Sequence, residues 1–363
     1  MPQAALIDIA SRHQVYLEGL KTGEIKEMSV FLKRMDKDVR AQLGGRDLTR
    51  YSRKRLEALL VRVREDISKT AVQAIDKVNT GVVQLSEYEA GFEIRSLNQV
   101  VDVDFTLPSA SQLRAAVYSN PLSIANLTGD SLLQPFIKGI NKRSQDRITN
   151  AIRTGYYQGE TTNDILQRVR GTRARGFKDG VIGHIGRDIN TIVRTALQHA
   201  SSQARSEVWD ENERVISKIQ WVSTLDSKTS ALCQGLDGRK FDKGRGPRPP
   251  IHPNCRSTTI AVLDKKFASL SEGRIRSSRI RSSRNPDGTV KTVSANQNYY
   301  GWLKNQPATF QDSVIGKQRG LLLRNGGLST QRFQELQLNK NFRPITLDEM
   351  RKLEPVAFGK ANI

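Results

Sequence analysis

Cysteine is nearly absent: Cys233 and Cys255 are the only two in 363 residues. That is too few for a disulfide framework, and the scarcity fits a reducing site of synthesis. Long apolar runs are missing too. Stretches such as Ala58 to Val61 and Ile260 to Leu263 fall far short of the roughly 20 residues a membrane span needs, so a soluble chain is expected. No basic-then-apolar leader opens the sequence, from which residence in the cytosol, or in whatever is assembled there, is expected. The glycines at 171, 176, 180, 183 and 186 lack the Lys-Ser/Thr of a phosphate-cradling loop, and no GxGxxG follows a strand. They are read as a flexible connector.

Acid is also short. Lys and Arg number 58 against 37 Asp and Glu, a formal charge of +21, and phosphate polyanions are the usual partners of such a chain. The excess is uneven. Arg168, Arg170, Arg173, Arg175 and Lys178 come with no acid among them, and Arg274, Arg276, Arg279, Arg281 and Arg284 form the tandem RIRSSRIRSSR. From Asp264 to Ile363, 18 basic residues face 8 acidic ones. Arginines spaced by glycine or serine, with few aromatics, suit contact with a nucleic-acid backbone without base reading.

What is present is mostly helical periodicity. Leu6, Ile9, Val15, Leu20, Ile25, Met28, Phe31, Leu32, Met35 and Val39 form a stripe from Ala4 to about Leu43, with breaks expected at Gly19 and Gly23. Further helices are expected over Ser52–Val78, Ser111–Tyr118, Leu132–Tyr157, Asn163–Val169 (capped by Thr161 or Thr162) and Arg187–Glu213. Asn98 to Leu107 alternates like a strand, as do the residues from Ile219 and from Thr258 to Leu263. The expected fold is α+β: a mostly helical N-terminal region, a helix plus a small two-stranded unit with a long Cys/His-pinned loop, and a small helical C-terminal tail. The expected divisions are 1–180, 187–263, an Arg/Ser-rich linker at 264–290 closed by the Asn285-Pro286-Asp287-Gly288 turn, and 291–363.

The stretch from Trp221 to Leu263 gathers both cysteines, His252 and the densest turn chemistry. Asp226 and Thr229 read as a cap on the turn carrying Cys233, Asp237-Gly238 as a tight turn, and Arg256 as a partner for a carboxylate. Three readings stay open. Cys233 and Cys255, covalently joined or in near contact, staple the loop; an oxidised bridge would contribute about 3 kcal/mol in the chain-entropy model. Cys233, His252 and Cys255 bind zinc with a carboxylate such as Asp226 or Asp237, although Ser230 stands where a paired CxxC would place its first cysteine. Or the cluster is catalytic, as a Cys-His nucleophile pair or a zinc-supported nuclease, although no histidine lies between His199 and His252 to serve as an additional base.

The order helix, WV-x-x-x-D-x-x-T-S-x-x-C-x-x-L-D-G, proline-rich loop, H-P-N-C-R-S-T-T resembles the phage head morphogenesis domain of Mu F-like minor head proteins, over about Arg187 to Leu263. The lead-in around Gln158 to Arg170 and the tail NYYGWLKNQPATFQDSVIGKQRG also look like tailed-phage head proteins. Asp226, Thr229, Cys233, Asp237, Gly238, His252, Pro253, Cys255 and Arg256 match the family signature. Many members carry two more cysteines where this chain has Ser230 and Ser257, which favours a two-cysteine staple. The resemblance implies a minor head (capsid) structural protein of few copies and no established enzymatic activity, acting in head assembly and DNA packaging or ejection. It implies the portal protein, the major capsid protein and packaged double-stranded DNA as partners, no membrane, and a place in the head interior near the portal vertex after assembly in the host cytoplasm. No cofactor is expected, with zinc kept as the alternative. A Cys/His-dependent nuclease or peptidase of phage origin is the competing function.

Overall fold

The computed structural model describes residues 2–124, 131–264, 275–282, 285–294 and 297–363. Its N-terminal half is a set of long helices: α1 (Pro2–Leu43), α2 (Arg53–Asn98), α3 (Ala110–Ser119), α4 (Leu133–Tyr157), α5 (Thr162–Arg170) and α6 (Val181–Glu211). Their apolar stripes meet in one core that includes Leu17, Met35, Leu59, Ile67, Ile137, Ile148, Ile192 and Leu197. Ser52, Ser109 and Thr161 accept the orphan backbone N–H groups at the starts of α2, α3 and α5.

Several boundaries differ from the sequence reading. α1 runs unbroken through Gly19 and Gly23, both exposed; about 1 kcal/mol per exposed glycine is offset by the burial of Leu17 and Met28 on either side. α2 continues about five turns past Val78, because Val82, Leu85, Glu89, Ala90, Glu93 and Leu97 keep a three-four spacing in which buried carboxylates interrupt the apolar signal. α6 begins at Val181, so Gly183 and Gly186 lie in a helix and not in a connector. A Cβ at Gly183 would stand 2.7 Å from the Lys178 carbonyl oxygen, and one at Gly186 would stand 3.1 Å from Leu32; both glycines permit close approach.

The alternating stretch after α2 is extended but joins no sheet. Val100, Val101, Val103 and Phe105 pack on the core, while the Thr106 backbone donates to and accepts from the Asn212 side chain, both at 2.8 Å. A side-chain amide replaces the partner strand that alternation alone would require.

The sheet has three antiparallel strands where two were expected, in the order β2 (Lys240–Asp242), β1 (Ile216–Val222), β3 (Thr258–Leu263). It packs through Ile216, Ile219, Ile260 and Ala261 on Ala204, Val208 and Trp209 of α6 and on Ala4, Leu6 and Ile7 of α1. A short helix, α7 (Ala231–Leu236), lies between β1 and β2. The segment read as a linker instead contains an antiparallel pair, β4 (Ile275–Ser282) and β5 (Asn285–Ser294), with Asn285 to Gly288 inside β5. Ile275 and Ile280 of β4 and Thr289, Val290, Thr292 and Val293 of β5 are the residues there that favour extended backbone. Six helices follow: α8 (Tyr299–Lys304), α9 (Ala308–Ile315), α10 (Lys317–Asn325), α11 (Thr330–Glu335), α12 (Leu347–Leu353) and α13 (Pro355–Ala361). They share a core of Tyr299, Tyr300, Trp302, Leu323, Phe333 and Phe358 that reaches Leu225 beside the sheet.

Candidate functional site

β1 delivers the chain to a turn at Leu225 and Asp226, and α7 then carries Cys233 back over the sheet. The cap of α7 is Ser230, whose Oγ accepts the Cys233 N–H at 3.3 Å, and not Asp226 or Thr229. Those two brace the turn before it: Asp226 Oδ1 accepts from Lys228 N at 2.9 Å and from Thr229 Oγ1 at 3.1 Å. Arg256 reaches the same carboxylate with two nitrogens, at 2.5 and 2.8 Å, a fork that ties the turn to the start of β3. Burial resists the charge on Arg256, but Asp226 outweighs it and raises the guanidinium's pKa.

Asp237 does more than start a turn. Its two oxygens accept from Ser223 N and Tyr299 N, both at 2.7 Å, so one buried carboxylate joins β1 to α8. Gly238 has φ +76 and donates to the Trp221 carbonyl at 2.8 Å; there the backbone requires a residue tolerant of the left-handed region.

The segment 252–255 closes over α7. Asn254, at φ +59, donates its N–H to Thr195 of α6 at 3.2 Å, and Cys255 N–H returns to His252 O at 3.2 Å. This turn brings three side chains together. Cys233 Sγ lies 3.8 Å from Cys255 Sγ and 3.2 Å from His252 Nε2. Both cysteines are buried free thiols, in near contact without a covalent bond. His252 Nδ1 meets the Pro253 carbonyl at 2.9 Å. A carbonyl only accepts, so Nδ1 carries the hydrogen and the neutral ring turns its Nε2 lone pair toward Cys233 and toward Ser230 Oγ at 2.9 Å.

Hydrogen bonding to Cys255 and desolvation hold the Cys233 thiol well above the ordinary range. At Cys255 burial opposes ionisation, but the interactions with Cys233 and His252 prevail and lower the pKa. Burial likewise opposes charge on His252, and its bond to Cys255 raises the pKa nonetheless. A cavity of about 10 Å³ adjoins the group, bordered by Lys228, Thr229, Ser230, Asn254 and Ser257. It has room for one water or ion.

The arginine run after α5 is partly committed. Arg168 pairs with Glu160, and Arg170 stacks its guanidinium 4.3 Å over the Phe177 ring and reaches Asp36 at 3.8 Å. Arg173, Arg175 and Lys178 are exposed on the loop between α5 and α6. In the second run Arg276, Arg279 and Arg281 fall on β4, while Arg274 and Arg284 lie outside the described residues.

Residues 145–260 match the family model described as Phage Mu protein F like protein. This stretch is a Phage Mu F-like domain. No curated protein and no solved structure shows significant similarity to the chain. The Mu F-like domain starts inside α4 and ends in β3, so it includes both the helical lead-in and the Cys/His group, and this match points to a phage head-related protein.

Sequence reasoning missed a second buried group that fixes this domain against α1 and α2. Glu89 of α2 accepts from Ser201 at 2.6 Å and from Arg205 at 3.1 Å, and it contacts His13 of α1. Arg205 Nη1 donates to Thr258 of β3 at 3.0 Å, and Glu93 accepts from Trp209 at 2.7 Å. Gln198 of α6 donates to the Ser257 carbonyl at 2.9 Å and accepts from Lys21 at 2.5 Å. The only signal in the sequence was an isolated arginine in the alanine-rich face of α6.

Proposed function

We propose that this chain is a minor structural component of a tailed-phage head, that its helices dock on the portal and inner capsid, and that it meets packaged DNA without reading sequence. The Mu F-like domain is the observation that carries this reading. The charge of +21 and the exposed Arg173, Arg175 and Lys178 support the DNA contact, because neutralised phosphates release counterions whatever the base sequence. Buried tyrosines, tryptophan and a bidentate ion pair around Cys233 and Asp237 support a rigid docking scaffold.

One observation favours the alternative, a Cys/His-dependent nuclease or peptidase: the 3.2 Å approach of His252 Nε2 to Cys233 Sγ, which has the form of a base beside a nucleophile. Against it stands the cavity, about 10 Å³, far below the several hundred Å³ of ordinary ligand pockets. The two readings separate in one set of assays. The head-protein reading expects co-sedimentation with portal or procapsid and salt-sensitive retention of DNA of any sequence. Loss of both, together with cleavage of DNA or peptide that disappears in His252→Ala, overturns it.

A further inference from the structure

We infer that Cys233, His252 and Cys255 hold one zinc ion. The inference rests on their geometry and stands or falls independently of the head-protein reading. The three ligand atoms lie within 4.8 Å of one another. With zinc–sulfur bonds of about 2.3 Å, two thiolates on a tetrahedral ion sit about 3.8 Å apart, which is the separation of Cys233 and Cys255 Sγ. A disulfide would need the sulfurs at roughly 2.0 Å, a closure of nearly half that distance between a helix and a turn anchored to α6. The sulfur–nitrogen edge of the same tetrahedron is about 3.6 Å. Cys233 and His252, at 3.2 Å, need open by only a few tenths of an ångström.

The surroundings have the character of a metal's supporting shell. His252 Nδ1–H is fixed by the Pro253 carbonyl, the contact that orients a ligating imidazole and leaves Nε2 free to bind. Both sulfurs are buried in an apolar setting with Trp221, Leu236, Ile251 and Leu338, where an uncompensated thiolate is costly and a divalent cation offsets that cost. The small cavity beside the cluster is bordered by Ser230 and Ser257, and Ser230 Oγ lies 2.9 Å from His252 Nε2. A water or the Ser230 hydroxyl completes the coordination there. The ion joins α7 to the 252–255 turn, and α7 is also the surface on which α11 rests, through Gln334 Nε2 donating to Gly235 O at 3.2 Å. Zinc therefore braces, inside the Mu F-like domain, the helix against which the C-terminal helices rest.

The test uses the full chain purified under reducing conditions. Elemental analysis should give one zinc per chain, released by a mercurial that titrates two thiols. Cys233→Ser, Cys255→Ser and His252→Ala should each retain less than a tenth of it, while His184→Ala, at an exposed histidine of α6, retains it fully. Cobalt(II) substitution of the unaltered chain reads the site without a variant: tetrahedral ligand-field bands with a thiolate-to-cobalt charge-transfer band are expected. A chain that carries no zinc and takes up none from an equimolar solution overturns the inference, as does a mass two daltons low from a Cys233–Cys255 disulfide.

Discussion

Replacing Arg205 with methionine probes how the Mu F-like domain is fixed to the N-terminal helices. The arginine side chain is buried, as are both carboxylates it faces: Glu89 Oε2 at 3.1 Å and Glu93 Oε2 at 3.8 Å. The two acids are not equivalent. Burial resists ionisation of Glu89, but Arg205 and His13 reverse the balance and its pKa is lowered, whereas burial prevails at Glu93 and its pKa is raised. Glu89 is thus the carboxylate whose charge Arg205 stabilises. Methionine fills similar volume but leaves Glu89 unpaired, and breaking a buried ion pair from one side costs about 3–5 kcal/mol. Urea unfolding followed by tryptophan fluorescence measures this, since Trp209 donates to Glu93 beside the site. In the double variant Arg205→Met with Glu89→Leu neither charge remains. It should recover most of the loss, giving a coupling of about 2–3 kcal/mol. The acid dependence has a definite sign. In the parent, Glu89's lowered pKa contributes stability above the unfolded carboxylate range and loses it as pH falls through the folded value. In the Arg205→Met variant Glu89 is pushed up instead, so the cost of the substitution shrinks on acidification. A loss below about 1 kcal/mol, or one independent of pH, would refute the pairing.

His199, buried against α3 with Nε2 donating to the Val117 carbonyl, is held at about 4 by desolvation. Its stabilising contribution is complete above its ordinary pKa of roughly 6.5 and drains away below it, so moving from pH 7 to 5 should cost the parent about 2 kcal/mol more than it costs His199→Gln in urea titrations. Asp237→Ala strands the Ser223 and Tyr299 N–H groups and should destabilise by about 3 kcal/mol, with the C-terminal helices gaining hydrogen exchange first. Cys233→Ser and Cys255→Ser should destabilise the domain similarly in thermal melts, with the double variant adding little, because both act on one cluster. Replacing Arg173, Arg175 and Lys178 together by alanine should weaken DNA retention equally for all sequences and flatten the salt slope by up to about 2.7.

The sequence revealed elements where one periodicity ruled and hid them where polar groups took apolar positions. α4 and β3 could be read to within a residue because Ile137, Ile140, Ile148 and Ile152, or the run Thr258 to Leu263, follow a single spacing. α2 was cut short because Glu89 and Glu93 face inward, and nothing in their neighbours announces Arg205, more than a hundred residues away. β2, three residues long, is too short to alternate detectably. Within the site, the meeting of Cys233 with His252 and Cys255 was legible from turn chemistry at both ends of the loop. The cap at Ser230 and the reach of Asp237 to Tyr299 were not, since each depends on which backbone N–H the fold brings near.

Quantitative mass spectrometry of gradient-purified phage particles, with the chain located by cryo-electron microscopy, bears most directly on the central claim. A minor head protein should be found there in few copies per particle, inside the head near the portal vertex. Particles that lack the chain altogether, alongside a free chain that turns over DNA or peptide, would contradict it.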